Sequence, residues 1–137
     1  MSATRYLVDT NVLLRFLTGA PAAHAKAAQR LFERAAAGEV VLDVAPVIVA
    51  ETLYTLVSFY KVDRATAAEK LSLLLQQHGV RLRDEAQVLG ALERLQSANV
   101  GFADAFLAAG ALEEGVAVAS FDQDFDKLKV PRFEPTA

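Results

Sequence analysis

Short apolar runs alternate with longer segments of helical periodicity along the chain. Runs of strand-forming residues, each bordered by glycine or polar residues, predict short β-strands at Arg5 to Val8, Val40 to Leu42, Val80 to Leu82 and Val116 to Ala119. Apolar residues at helical spacing predict helices at Ala23 to Ala37, Pro46 to Tyr60, Arg64 to Gln77, Glu85 to Ala98 and Phe102 to Glu114. This alternation predicts a single α/β domain over residues 1–137, an α/β sandwich around a mostly parallel central sheet.

Boundary residues agree with these helices. Pro46 suits a first helical turn, and Asp63 and Asp84 can serve as N-caps. Glycine stands where three of the helices should end, at Gly38, Gly79 and Gly115.

Composition limits the possible chemistry. The chain has 137 residues, 53% hydrophobic and 23% charged, which predicts a folded domain with its own core. It contains no cysteine, which excludes disulfides, thiolate metal sites and a cysteine nucleophile, so any metal must be bound by oxygen or imidazole. No run approaches the roughly 20 apolar residues of a membrane span, and the first residues lack a signal-peptide pattern, so we expect a cytoplasmic protein.

Two acidic residues directly follow predicted strands. In open parallel sheets the functional crevice lies beyond the carboxyl ends of the strands, which gives weight to Asp9 and Asp122. Asp9 has an alternative interpretation as a loop acid near the positive end of a helix that Thr10 or Asn11 caps.

Two further acids lie in apolar helical segments. Glu51 is the only charged residue from Val44 through Tyr60, and a lone carboxylate in a helix buried on most sides should be paired, neutralised or bound to a cation. The alternative is a narrow solvent-facing stripe. Asp104 is the sole charge in the first turn of its helix, where it could simply complement the helix dipole, but flanking alanines would leave room for a ligand to approach.

Four carboxylates brought to one edge of a sheet would repel one another, and a divalent cation would relieve that repulsion. An all-oxygen set suits Mg²⁺ or Mn²⁺. Such ions activate water and stabilise charge on a phosphodiester, so nucleic acid is the natural substrate. The net charge of −3 means that a nucleic acid would need a local basic rim, for which Arg15 and Lys127 are the first candidates.

Four segments together resemble the PIN-domain ribonucleases, and among them the VapC-type toxins of toxin–antitoxin pairs. The segments are Tyr6 to Leu13, Val47 to Glu51, Phe102 to Ala105 and Ser120 to Phe125. The resemblance implies that Asp9, Glu51, Asp104 and Asp122 form the catalytic and metal-binding set of an endoribonuclease. It further implies a three-layer α/β/α sandwich as the fold and supporting roles for Asn11, Ser120 and Asp124.

The same resemblance implies a homodimer and a small antitoxin that occupies the active-site groove. Large aliphatic residues make Val12 to Leu17 and Leu71 to Leu75 the expected dimer surfaces.

Two other functions are compatible with parts of the sequence. A phospho-signalling receiver domain could use Asp43 as phosphoacceptor and Lys129 as its terminal lysine, although it gives no role to Glu51 or Asp104. A non-catalytic module could keep the fold and bind a partner through its apolar helices. Metal-dependent hydrolysis of RNA would separate these three functions.

Overall fold

The computed structural model describes residues 3–137, and these form seven helices and five strands. The helices are α1 (Thr10–Thr18), α2 (Ala22–Ala36), α3 (Pro46–Ser58), α4 (Arg64–Leu75), α5 (Glu85–Leu95), α6 (Phe102–Glu114) and α7 (Asp124–Lys127). The strands are β1 (Thr4–Leu7), β2 (Val40–Val44), β3 (Val80–Leu82), β4 (Val118–Ala119) and β5 (Arg132–Phe133).

All strand pairs are parallel, which confirms the predicted α/β class. Three strands form one sheet in the order β1-β2-β3, and β4 pairs with β5 in a second sheet. The prediction of one central sheet therefore differs from the structure. Within residues 3–137 no strand pairs with the outer edge of β1, where Leu7 is 75% exposed. Instead β4, only two residues long, pairs with β5, a strand that the sequence pattern did not predict.

Strand β2 lies in the centre of the three-stranded sheet and supplies part of the core. Val40, Leu42 and Val44 are fully buried, and α2 packs on this strand. Just before β3, Gly79 has φ +88°, and a Cβ there would lie 2.3 Å from the carbonyl oxygen of Ala35 in α2. Only glycine permits both this backbone conformation and this close approach.

Both predicted N-cap residues occupy the N-cap position, and one of them forms the capping hydrogen bond. Asp63 accepts a hydrogen bond from the Thr66 backbone N–H at 3.2 Å, as a cap should. Asp84 precedes α5, but it is left-handed at φ 53°, and its side chain makes no cap hydrogen bond within the described chain.

Helices α5 and α6 pack closely because small side chains lie between them. Ala105, Ala108 and Ala109 are buried, and Gln87 Nε2 of α5 donates a hydrogen bond to the Phe106 carbonyl of α6 at 2.9 Å. The alanines after Asp104 thus pack between the two helices. The expectation that these alanines leave room for a ligand is wrong. Only Ala103, before Asp104, is exposed.

The two segments expected to form a dimer surface lie largely in the core. Leu13 and Leu14 are buried, as are Leu71, Leu74 and Leu75, so core packing explains these five residues. Leu73 is 62% exposed, and the placement of a dimer surface in these segments stays a prediction. Large apolar side chains are also exposed on α3 and directly after it, at Val47, Tyr54 and Phe59. Among residues 3–137, no helix is both long enough and apolar enough to cross a membrane.

Candidate functional site

Asp9 lies at the carboxyl end of β1 and is the N-cap residue of α1. Its backbone carbonyl accepts a hydrogen bond from the Val12 N–H at 3.1 Å, but its exposed side chain makes no cap hydrogen bond to any described residue. The adjacent Thr10 hydroxyl is buried and has no hydrogen-bond partner in residues 3–137. Helix capping therefore does not account for the Asp9 carboxylate, and Thr10 adds an unsatisfied oxygen beside it.

Asp104 lies in the first turn of α6 and interacts electrostatically with the loop that follows β4. Partial burial raises the pKa of Asp104, and the negative charges of Asp122 and Asp124 raise it further. A helix N-terminus alone would stabilise the charged carboxylate and lower its pKa, so the helix dipole does not explain the raised pKa of Asp104. Asp104 thus lies within electrostatic range of Asp122 and Asp124, two other acids that the sequence indicated.

Local hydrogen bonds fix the loop that carries Asp122 and Asp124. The Ser120 hydroxyl oxygen accepts from the Asp122 backbone N–H at 2.9 Å, and the Asp122 carboxylate accepts from the Asp124 N–H at 2.8 Å. These bonds form consecutive Ser and Asx turns that lead into α7. The supporting position of Ser120 next to Asp122 thus has a structural basis.

Arg132 holds this loop in place, and the sequence pattern gave no indication of it. Its side chain is only 15% exposed; the guanidinium contacts Asp126 at 3.2 Å and Glu134 at 3.0 Å and donates to the Ser120 carbonyl at 3.3 Å. The hydrogen bonds to these two acids raise the pKa of Arg132. The residue lies in β5, the strand that the pattern did not predict, so no sequence signal pointed to this contact.

Glu51 is exposed, in contrast to the expectation of a helix buried on most sides. Helix α3 buries Val49, Leu53 and Leu56 but presents its other face to solvent, so the desolvation argument for Glu51 is wrong. The alternative of a solvent-facing stripe describes its surroundings better. Exposed Val47 and Tyr54, each about one helical turn away, make this stripe partly apolar.

The donor chemistry of the acids fits a hard divalent cation, because carboxylate oxygens are the ligands that Mg²⁺ and Mn²⁺ prefer. The mutual repulsion that raises the pKa of Asp104 is of the kind that a bound cation removes. In the described part of the chain, however, no three acidic or histidine side chains lie close enough to hold an ion. Asp9 and Asp122 follow strands of two separate sheets, so a shared ion would require these strand ends to come together.

The remaining predicted residues lie around these acids. Asn11 and Arg15 line an open groove of about 430 Å³ between α1 and α2. Arg15 donates to the Tyr60 hydroxyl at 3.3 Å and to the Ala20 carbonyl at 3.4 Å. Lys127 pairs with Asp124 at 3.2 Å, which places a positive charge directly beside the acidic loop.

Asp43 occupies the end of β2 but is already paired. Its side chain is 4% exposed and accepts a hydrogen bond from the Arg5 guanidinium of β1. A buried, ion-paired carboxylate is poorly placed to receive a phosphoryl group from solution, which weighs against a receiver domain.

Known proteins to which the chain is similar include one family and one solved structure. The model of one family, described as the PIN domain, matches residues 6–131. Among solved structures, the chain is similar to a chain in the crystal structure of VapBC2 from Rickettsia felis bound to a DNA fragment from their promoter. The identity is 14% and the TM-score 0.39, with 96% of this chain and 100% of that chain covered. Among curated proteins no relative matches.

Proposed function

The chain belongs to the PIN domain family, and from this membership we propose that it is a divalent-metal-dependent endoribonuclease, the toxin of a toxin–antitoxin pair. The observation that carries the proposal is the electrostatic coupling of Asp104 to Asp122 and Asp124. Carboxylates that interact electrostatically at strand and helix ends are typical of a metal-dependent hydrolytic site.

Asp9, Glu51, Asp104 and Asp122 would hold Mg²⁺ or Mn²⁺. When bound, the ion supplies an activated water and stabilises the charge that develops on a phosphodiester. Hydrolysis would form a bond from a water oxygen to phosphorus and break the bond from phosphorus to the leaving oxygen, and the proton lost by the water would end on that leaving oxygen.

The other residues would position these acids and the RNA. Ser120 orients Asp122 through the turn that they share, and Arg132 anchors that turn from β5. Asn11 lies exposed in the first turn of α1, two residues from Asp9, and Asp124 is a further acid beside Asp122. Lys127 and Arg15 would contact phosphates, which the net charge of −3 otherwise repels.

Association with an antitoxin and assembly into a homodimer, both implied by the family resemblance, stay predictions. A non-catalytic interaction module is the second candidate. The exposed face of α3 is the observation that favours it, because contiguous exposed apolar residues often mark an interaction surface.

Cleavage of an end-labelled RNA by the purified protein tests the proposal. We expect cleavage with Mg²⁺ or Mn²⁺ and none in chelator. Four variants should each slow cleavage strongly: Asp9→Asn, Glu51→Gln, Asp104→Asn and Asp122→Asn. Mutation of a residue that only contacts a metal ligand typically lowers activity by roughly 10–100-fold, and loss of a ligand itself should lower it further.

Glu113→Gln is the matched control, since Glu113 is an exposed acid at the opposite end of the helix that carries Asp104. It should cleave at the wild-type rate. Full activity in all four acid variants would show that the site is assigned wrongly, and a folded wild-type protein that cuts no RNA would favour the non-catalytic module.

A further inference from the structure

A cavity of about 440 Å³ lies between α3 and the start of α6, outside the set of proposed metal ligands. Two aromatic rings and one cation stand in its wall together with small and aliphatic residues. The lining residues that matter are Tyr54, Phe102, Arg64 and Gly101. The volume falls within the range of sites that bind small organic ligands, about 300–1,000 Å³.

Two aromatic residues in the cavity wall, Tyr54 and Phe102, offer ring faces on which a flat ligand can stack. Tyr54 is 72% exposed on α3, so a large part of its ring is open to a ligand. Phe102 is half-buried and stacks on Phe106, with ring centroids 5.5 Å apart and planes inclined by 22°. This stacking fixes the orientation of Phe102 before any ligand arrives. A flat aromatic ligand is therefore the chemistry that the walls fit.

The cation favours an anionic ligand. Arg64 is half-buried, and one of its guanidinium nitrogens donates to the Asn99 side-chain carbonyl. That bond orients the side chain and uses only one of its five N–H donors. No acidic residue lines the cavity within the described chain. A flat aromatic group attached to a phosphate would stack on the aromatic residues and pair with Arg64.

The cavity adjoins the proposed metal site. Ala50 and Ala103 line it, and these residues directly precede Glu51 and Asp104. Tyr54 follows Glu51 by three residues, a rise of about 4.5 Å along the helix. A ligand between the rings would thus lie next to a phosphate held at the acids.

We infer that this cavity is a nucleobase subsite, which binds one unpaired base of a single-stranded RNA between Tyr54 and Phe102 and a neighbouring phosphate at Arg64. The inference rests on the proposed function for the identity of the polymer as RNA. Bases are accessible for such stacking only where the strand is unpaired. The site therefore selects single-stranded segments and contributes to the choice of the nucleotide beside the cut.

Binding of a ten-nucleotide single-stranded RNA that contains one 2-aminopurine tests this site, with Ca²⁺ in place of Mg²⁺. Stacking should quench the 2-aminopurine fluorescence. Tyr54→Ala should weaken RNA binding at least about tenfold, which is within the range measured for loss of one base–aromatic stack. Tyr54→Phe keeps the aromatic ring and should bind the RNA like the wild type.

Two further variants isolate the cavity from general effects. Phe59→Ala removes an equally exposed aromatic residue just beyond α3 that does not line the cavity, and it should bind within about twofold of wild type. Gly101→Leu should block the cavity: Gly101 has φ −80°, and no atom of residues 3–137 lies within 4 Å of the point that a Cβ would occupy there. The affinity of Gly101→Leu for the RNA should fall as much as that of Tyr54→Ala.

The outcomes separate the subsite from the nuclease proposal. RNA binding that depends on Tyr54, in a protein that cleaves no RNA with Mg²⁺ or Mn²⁺, would support the subsite and contradict the nuclease. Metal-dependent cleavage with unchanged binding in both Tyr54→Ala and Gly101→Leu would overturn the subsite alone. Conversion of a dimer to a monomer by Tyr54→Ala in sedimentation, with RNA affinity unchanged, would show an interface between copies and overturn the subsite.

Discussion

Removal of the Arg5 side chain, as in Arg5→Met, should destabilise the protein because it leaves a buried carboxylate without its partner. The Asp43 side chain is 4% exposed at the end of the β1–β2 pairing, whereas that of Arg5 is 55% exposed. Breaking a fully buried ion pair typically costs about 3–5 kcal/mol of unfolding free energy.

The half-exposed position of Arg5 reduces that cost, since solvent already screens its charge and can reach Asp43 after a small relaxation. We expect a loss of about 2–3 kcal/mol. For a domain of this size that corresponds to a fall in melting temperature of roughly 6–12 °C. Chemical denaturation followed by circular dichroism measures the free energy, and a thermal scan measures the shift.

Arg34→Met is the matched control, because the Arg34–Glu39 pair is 3.2 Å long with both side chains about half exposed. It should cost less than about 1 kcal/mol. The double variant Arg5→Met/Asp43→Leu should recover most of the loss, since an apolar pair leaves no charge to solvate. Equal, small losses in Arg5→Met and Arg34→Met would refute the reasoning.

Asp104→Asn should raise the melting temperature in chelator at neutral pH, because burial and neighbouring acids raise the pKa of Asp104 above its ordinary 3.8. In the wild type, ionisation of Asp104 lowers the stability of the folded state as pH rises from the unfolded pKa, about 3.9, through the higher folded pKa. The gain in melting temperature from Asp104→Asn should therefore vanish well below a pH of about 3.9. A lower melting temperature of Asp104→Asn at neutral pH would contradict this reasoning. Gly79→Ala should destabilise more than Gly38→Ala in the same thermal assay: both glycines have φ above +80°, but only at Gly79 would a Cβ meet the Ala35 carbonyl, at 2.3 Å. Equal losses would argue against that close approach. Arg132→Met should weaken Mn²⁺ binding in calorimetry by roughly 10–100-fold, as loss of a positioning residue does, and an unchanged affinity would remove Arg132 from that role.

Five of the seven helices and four of the five strands in residues 3–137 could be predicted because each carries a local signal, whereas α1 and α7 lie outside the predicted helices. Periodicity located α3 and α6 to within about two residues, and turn chemistry identified Asp63 as a cap. The position of Asp9 at a strand end followed from the apolar run before it. These features depend on residues that are close in sequence.

The features that the sequence did not predict depend on contacts between distant segments. Strand β5 is two residues long, and its pairing with β4 gives no periodic pattern. The exposure of Glu51 depends on which face of α3 packs, and an almost uniformly apolar helix does not encode that face. The same holds for the cavity beside Tyr54, which only the packing of α3 against α6 creates.

The most direct measurement is a crystal structure of the protein with Mn²⁺, in which anomalous scattering locates the ion. We expect one or two ions with carboxylate oxygens of at least three of the four acids, Asp9, Glu51, Asp104 and Asp122, at about 2.1 Å, close to the distance that Mg²⁺ keeps from oxygen ligands. We also expect Asp104→Asn to reduce the anomalous signal at the same Mn²⁺ concentration. Ions found only away from these acids, at a concentration that supports RNA cleavage, would contradict the claim that the four acids form the metal site.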